Sequence, residues 1–210
     1  LGPILFEFYG GTEGGGVGIS SEEWLAHPGS VGRPNPGVEV LSLDEDGKPC
    51  PAGSQGDVYF RGGASFEYKG DPEKTAAGRR GDCITLGDIG YLDDEGYLYL
   101  CDRRADVIIS GGVNVYPAQV ESVLLAHPSV ADCCVVGVAH PEWGEEVRGV
   151  VQLEPGIAAD AASHDALVAH CKAGLAGYQV PRRIDFVDEL PRTETGKLAR
   201  RALRESYRSD

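Results

Sequence analysis

The stretch DRRADVIISGGVNVYPAQ, residues 102–119, decides how this sequence is read. It opens on a charged joint, Asp102-Arg103-Arg104-Ala105-Asp106, which follows the strand-like run Tyr97-Leu98-Tyr99-Leu100. Val107-Ile108-Ile109 is a short apolar run. Ser110-Gly111-Gly112 then lets the backbone turn or approach another group closely, because glycine has no Cβ to exclude positive φ. Val113-Asn114-Val115-Tyr116 leads to Pro117, whose fixed φ and missing N–H suit the first turn of a helix. A charged joint, a strand, a double-glycine turn and a helix start predict a boundary between two bodies, residues 1–102 and 103–210. On spacing alone, a surface hairpin ahead of a helix fits the same letters.

The texture differs on the two sides of the joint. On the N-terminal side, Gly and Pro punctuate short strand candidates. The apolar run LGPILFEFY predicts a buried strand and ends in the glycine cluster GGTEGGGVG, whose residue-level reading is a flexible turn. Strands are predicted over 38–43 and 56–61, and a helix over 72–77. On the C-terminal side the pattern is mixed. Val120, Val123 and Leu124 stand at helical spacing after Pro117, and strands are predicted over 130–138, 146–153 and 184–187. Ser163 is the predicted N-cap of a helix carrying Leu167, Cys171 and Leu175 on one stripe. A last helix over 198–207 is predicted to turn Ala199, Ala202 and Leu203 inward. The fold class is therefore α+β: a small β-rich subdomain, then a compact domain with a three-stranded sheet flanked by helices.

Composition narrows the function. Apolar residues make up 41% and aromatics 8%, which suits a globular chain, and no apolar run reaches membrane-spanning length. The net charge of −14 disfavours a nucleic-acid partner, since phosphates are repelled by a negative field. One stretch runs against it: Arg192, Lys197, Arg200, Arg201, Arg204 and Arg208 face only Glu194, Glu205 and Asp210. That stretch reads either as a solvated helix face or as positive charge for the phosphates of a small ligand. The six cysteines form no C-x-x-C pair, and Cys133-Cys134 sit in an apolar run where thiols act as small core residues. The expectation is a cytosolic protein without structural zinc. The sequence begins at Leu1 and contains no Met, so it reads as a piece of a longer protein.

Four stretches in order carry a resemblance: Tyr9-Gly10-Gly11-Thr12-Glu13, Leu86-Gly87-Asp88, the joint with Gly111-Gly112, and Pro191-Arg192-Thr193-Glu194-Thr195-Gly196-Lys197. Together they resemble the adenylate-forming enzymes, specifically the C-terminal portion of acyl-CoA synthetases. The resemblance implies a role for each. Tyr9 packs on adenine, Thr12 contacts the α-phosphate, and Glu13 holds Mg²⁺ with a hard oxygen. Asp88 takes the two ribose hydroxyls, and Arg103 lies near the ribose and phosphates. Ala105 is the hinge. Gly111-Gly112 let the pantetheine thiol of coenzyme A pass beside backbone, and Lys197 bridges the substrate carboxylate and the α-phosphate. Read without the resemblance, an aspartate after a glycine turn is an ordinary structural feature, and Lys197 is one charge on a basic helix.

Two departures qualify the likeness. The usual threonine before the Gly-Asp pair is Leu86, and the usual charged hinge residue is Ala105. The Ser/Thr/Gly-rich phosphate loop and the histidine-bearing acyl pocket of the family are not among these residues. The resemblance therefore implies a partnership with an upstream part of the same chain, and a piece that is inactive by itself. The implied reaction uses ATP, Mg²⁺ and coenzyme A to convert a carboxylic acid, fatty or aromatic, into its thioester. The alternatives are a non-catalytic binding or regulatory module that kept the fold, and an adenylation domain loading a carrier protein.

Overall fold

The computed structural model describes residues 3–62 and 66–207; Arg208 and Asp210 of the basic stretch lie outside them. The chain divides into two compact units, Leu1–Ala105 and Asp106–Asp210.

The first unit is built on one antiparallel sheet. Its elements are β1 (Phe6–Gly11), β2 (Gly14–Ser20), α1 (Ser21–Ala26), β3 (Ser30–Pro34), β4 (Glu39–Leu43), β5 (Gly56–Arg61), α2 (Pro72–Ala77), β6 (Arg79–Arg80), β7 (Cys83–Leu92) and β8 (Leu98–Arg103). The strand order is β1-β2-β3-β8-β7-β5-β4, with β6 added to β7. Alternation places Val40 of β4, Val58 and Phe60 of β5, Ile84 of β7 and Leu98 of β8 on one buried face with Val17. The glycine cluster is not a loose turn. Gly11 pairs with Gly14 across a tight β1–β2 hairpin whose turn is Thr12-Glu13. The N-terminal apolar run is not buried as expected. Phe6 and Phe8 are 66% and 61% exposed, because β1 ends the strand order and pairs only with β2. Strand β8 runs through Asp102 and Arg103, so the charged joint narrows to a single 3₁₀ turn, Arg104–Asp106, which holds Ala105.

The second unit contains β9 (Ile108–Ser110), β10 (Val113–Val115), α3 (Pro117–Leu125), β11 (Val130–His140), β12 (Gly144–Leu153), α4 (Ala161–Gly174), β13 (Arg183–Phe186) and α5 (Arg200–Ser206). The three expected strands are β11, β12 and β13; β11 pairs antiparallel with β12, and β13 parallel. The double-glycine hairpin β9–β10 widens the sheet to five strands through one Gly144–Ser110 bridge. Both faces of β11 are covered. Cys133 and Val135 join a core under α3 and α4, and Cys134 and Val136 join Leu203 of α5 on the other side. That is why the run reads as continuously apolar rather than alternating.

Two expectations about helix ends are corrected. The N-cap of α4 is Asp160, whose carboxylate accepts from the Ser163 N–H at 2.9 Å. Ser163 itself lies inside the first turn, where its hydroxyl donates to the Ala158 carbonyl. The last helix starts at Arg200, because Leu198 and Ala199 are used to close the preceding turn: Leu198 bridges to Arg192, and the Ala199 N–H reaches the Pro191 carbonyl. Among its described residues only Leu203 is fully inward.

Candidate functional site

In the first unit three predicted residues meet. Asp88 on β7 stands opposite Arg103 on β8 in the antiparallel register, and Arg103 Nε lies 3.0 Å from Asp88 Oδ1. The β1 strand brings Tyr9, whose hydroxyl donates to Asp88 Oδ2. Asp88 is only 6% exposed, while the Arg103 side chain is 66% exposed. Burial, reinforced by the neighbouring Asp88 carboxylate, pushes the Tyr9 hydroxyl far above its ordinary pKa, so it remains a donor. The Tyr9 ring leans on buried Phe60, with centroids 5.9 Å apart. A carboxylate offers about four lone-pair directions, and two are taken here. The remaining two match a vicinal diol. Leu86, at the departure from the family pattern, packs against the core, and the neighbouring Thr85 hydroxyl accepts from the Gly87 N–H at 3.0 Å.

Thr12 and Glu13 form the β1–β2 turn of the same unit. Thr12 Oγ1 donates to Glu13 Oε2 at 3.1 Å, and Tyr68 Oη donates to Glu13 Oε1 at 2.7 Å. The Tyr68 hydrogen bond leads in holding the Glu13 carboxyl below the usual carboxylate range. Tyr68 in turn carries the Lys74 ammonium 4.0 Å above its ring. Tyr68 and Lys74 were not found from sequence, since 55 residues separate Tyr68 from Glu13 and no periodic pattern links them. Among the described residues no group of three or more acidic, His or Cys side chains could enclose a metal. Glu13 thus offers one ionised carboxylate. That suits Mg²⁺, which is commonly held by one or two carboxylates together with substrate phosphates and water.

The second unit carries the other predicted residues at two separate turns. Gly111 and Gly112 lie between the paired residues Ser110 and Val113, with φ of +60° and +79°. Positive φ at both central positions is what a two-residue type I′ hairpin demands, and glycine supplies it without strain. The Gly111 N–H donates to the Trp143 carbonyl at 2.9 Å. Trp143 stacks on His140 at 4.5 Å, and the Arg182 guanidinium lies over its ring. This aromatic and cationic stack beside the glycine turn was also missed, because its members come from the end of β11, the β11–β12 turn and the residue before β13.

Lys197 is exposed and sits on a hydrogen-bonded turn. The Thr193 N–H donates to the Lys197 carbonyl at 2.7 Å, and the Gly196 N–H to the Thr193 carbonyl at 2.8 Å. Arg192 fastens the turn to the sheet: it donates to the Gly196 carbonyl at 2.8 Å and pairs with Asp132 of β11. Three residues on, Arg200 turns inward. It donates to both oxygens of Glu121 and to the Val135 carbonyl. Burial works against the charge of Arg200, but the Glu121 carboxylate outweighs it and holds the guanidinium ionised.

Two families match in the order of these features. Residues 1–67 match AMP-binding enzyme, and residues 119–197 match AMP-binding enzyme C-terminal domain. The 2-succinylbenzoate–CoA ligase of Geobacillus kaustophilus is 44% identical over 203 residues, covering 95% of this chain and 41% of that protein. The acyl-coenzyme A synthetase ACSM3 of Mus musculus is 36% identical over 95% of this chain and 36% of its own length. A solved structure of O-succinylbenzoate coenzyme A synthetase from Bacillus subtilis, in complex with ATP and magnesium ion, superposes with a TM-score of 0.83 at 35% identity, covering 97% of this chain and 41% of that one. With this fold and these matches, the chain belongs to the adenylate-forming superfamily of AMP-binding enzymes. It spans about two fifths of the length of the relatives it matches.

Proposed function

We propose that this chain is the C-terminal portion of an AMP-forming acyl-CoA ligase. Residues 1–102 complete the adenylation core and residues 103–210 form its lid. The observation that carries the reading is the Tyr9–Asp88–Arg103 cluster: a buried carboxylate with two acceptor directions left, next to an aromatic ring and an exposed guanidinium. Asp88 takes the ribose hydroxyls of ATP, and Tyr9 offers its ring to adenine. Arg103, mostly exposed beyond its ion pair with Asp88, offers its outer guanidinium nitrogens to the ribose and phosphates. Thr12 donates to the α-phosphate and Glu13 contributes an oxygen to Mg²⁺.

The reaction has two steps. A carboxylate oxygen of the acid attacks the α-phosphorus, and the bond to pyrophosphate breaks. The thiol sulfur of coenzyme A then attacks the acyl carbon, loses its proton, and displaces AMP. In the first step Lys197 opposes the negative charge gathering on the α-phosphate and the carboxylate. In the second, Gly111-Gly112 give the pantetheine arm a path with no side chain in the way. The lid turns about Ala105 between the steps. The acid is a carboxylic acid of fatty or aromatic type, and the protein works in the cytosol. The upstream part of the same chain supplies the acyl pocket. The exposed apolar residues Phe6, Phe8, Trp24 and Leu25 support packing of the first unit against that part.

The test separates the two steps in the full-length protein. Lys197→Ala should lose on the order of 10²–10³ of its ATP–pyrophosphate exchange rate, the usual effect of removing one preorganised donor. It should still convert a supplied acyl-adenylate to the thioester at close to the normal rate. Equal loss in both steps would refute the assignment of Lys197 to the first alone. Absence of any exchange by the unaltered protein would point instead to a non-catalytic module, and exchange with transfer only to a carrier protein would change the acceptor.

A further inference from the structure

Arg200 follows the Lys197 turn and reaches the residue that follows the hinge. Arg200 opens α5, three residues past Lys197, and its side chain is 17% exposed. It donates through Nη1 to the Val135 carbonyl of β11 at 2.7 Å, and through Nη2 to Glu121 Oε2 of α3 at 3.1 Å. Nη1 also meets Glu121 Oε1, which accepts at the same time from the Val135 N–H at 2.7 Å. Arg200 Nε faces Asp106 Oδ2 at 3.5 Å. One helical turn further along α5, Arg204 donates to the Asp106 backbone carbonyl. Asp106 is the first residue of the second unit and the last of the 3₁₀ turn that holds Ala105.

We propose that Arg200 is a positioning residue that makes Asp106, α3 and the Lys197 turn a single rigid piece, so that rotation at Ala105 carries Lys197 with it. The inference rests on the role given to Lys197 above. The geometry argues for coupling over simple packing. The guanidinium spends its planar set of donors on three elements far apart in sequence, which a point-like ammonium cannot reproduce. It faces two carboxylates, Glu121 and Asp106, so its loss takes a cation from both. The Lys197 turn is closed and fastened to β11 through Arg192 and Asp132, and Arg200 adds the attachment that reaches α3 and Asp106. A lysine that must meet reacting oxygens tolerates little misplacement: an error of about 1 Å can cost on the order of a hundredfold.

Two variants test the coupling, Glu121→Gln and Arg200→Lys. The first keeps the shape of the side chain and an acceptor for the Val135 N–H; the second keeps the charge. The first measurement is amide hydrogen exchange on the 210-residue chain. In both variants the amides of residues 193–199 and those around Asp106 should exchange faster together, by about tenfold or more, while the β12–β13 amides keep their protection. Acceleration at one end alone, or at neither, overturns the proposal. The second measurement uses the full-length protein. The kcat of ATP–pyrophosphate exchange should fall roughly ten- to a hundredfold with KM for ATP within about twofold, and thioester formation from supplied acyl-adenylate should stay near normal. A matching fall in both half-reactions, or none in either, rejects it. If the unaltered full-length protein shows no exchange activity, the functional reading fails by itself, and hydrogen exchange still decides whether the two ends are coupled.

Discussion

Replacing Asp88 by asparagine separates the ribose role of this residue from its structural one. The amide is isosteric and keeps an oxygen to accept from the Tyr9 hydroxyl. What disappears is the charge that faces Arg103 at 3.0 Å, together with that oxygen's acceptor for the guanidinium and one of the two remaining acceptor directions. Arg103 is mostly exposed, so the lost ion pair should change folding stability by no more than about 1 kcal/mol. Alanine is a poorer probe, because it also strands the Tyr9 hydroxyl, an additional cost of about 1–3 kcal/mol. For ATP, hydrogen bonds to a charged acceptor contribute about 1.5–3 kcal/mol. The expected rise in KM for ATP in the full-length protein is therefore roughly 10- to 150-fold, with little change in melting temperature. The decisive assay is a cycle with 2′,3′-dideoxy-ATP. The unaltered protein should lose a similar factor on that analogue, and Asp88→Asn should lose little more. An unchanged KM for ATP, or full additivity of variant and analogue, would show that Asp88 does not hold the ribose.

Two further outcomes follow from the fold. Trypsin should nick the chain first after Arg104, in the 3₁₀ turn, and leave two protected pieces; Arg103 lies in the paired strand β8 and should be cut later. Early cleavage throughout either unit would contradict the division. The second outcome concerns alkaline pH. Burial raises Cys134 from an ordinary 9.0 to about 11, and burial with the Asp185 hydrogen bond raises Tyr207 from 10.0 to about 12. Both groups are neutral when protonated and hold their protons more tightly when folded. Their contribution is full below about pH 9 and is lost as the pH climbs through 11 to 12. Urea midpoints of the second unit should fall over that window, and Cys134→Ala should flatten the lower part of the fall. A flat profile would count against the burial of these groups.

What could be read from sequence divides by how locally each feature is encoded. Strand β5 and helix α2 fall at the expected residues, because turn residues on both sides fix their ends. Strand β11 was legible as an apolar run interrupted only by Asp132 before Val138, and Gly111-Gly112 as a turn, since only a φ-permissive pair fits there. The buried strand expected at the N-terminus failed because apolar content does not reveal whether a strand has neighbours; β1 has one. The C-terminal stretch looked like a uniform basic face. Arg200 departs from it, turning inward to a glutamate 79 residues away. Tyr68 on Glu13 and Arg182 on Trp143 were invisible for the same reason: side-chain pairs between distant elements leave no period to detect.

The order in which the second unit closes follows from where its longest-range contacts lie. Strands β11 and β12 are joined by a short turn and can pair early, whereas β13 reaches β12 only after α4 has intervened. Arg200 must then find Glu121 and Val135, at separations of 79 and 65 residues. Closing longer loops costs more entropy and slows folding. The segment bearing Lys197 is therefore fixed after the strands it packs on. The glycine hairpin, closed by two residues, can form before the sheet is complete, and the Lys197 turn is fixed after both. Loss of α5 would therefore bare Cys134, Val136 and Val150, which pack against Leu203, as well as remove the support behind Lys197.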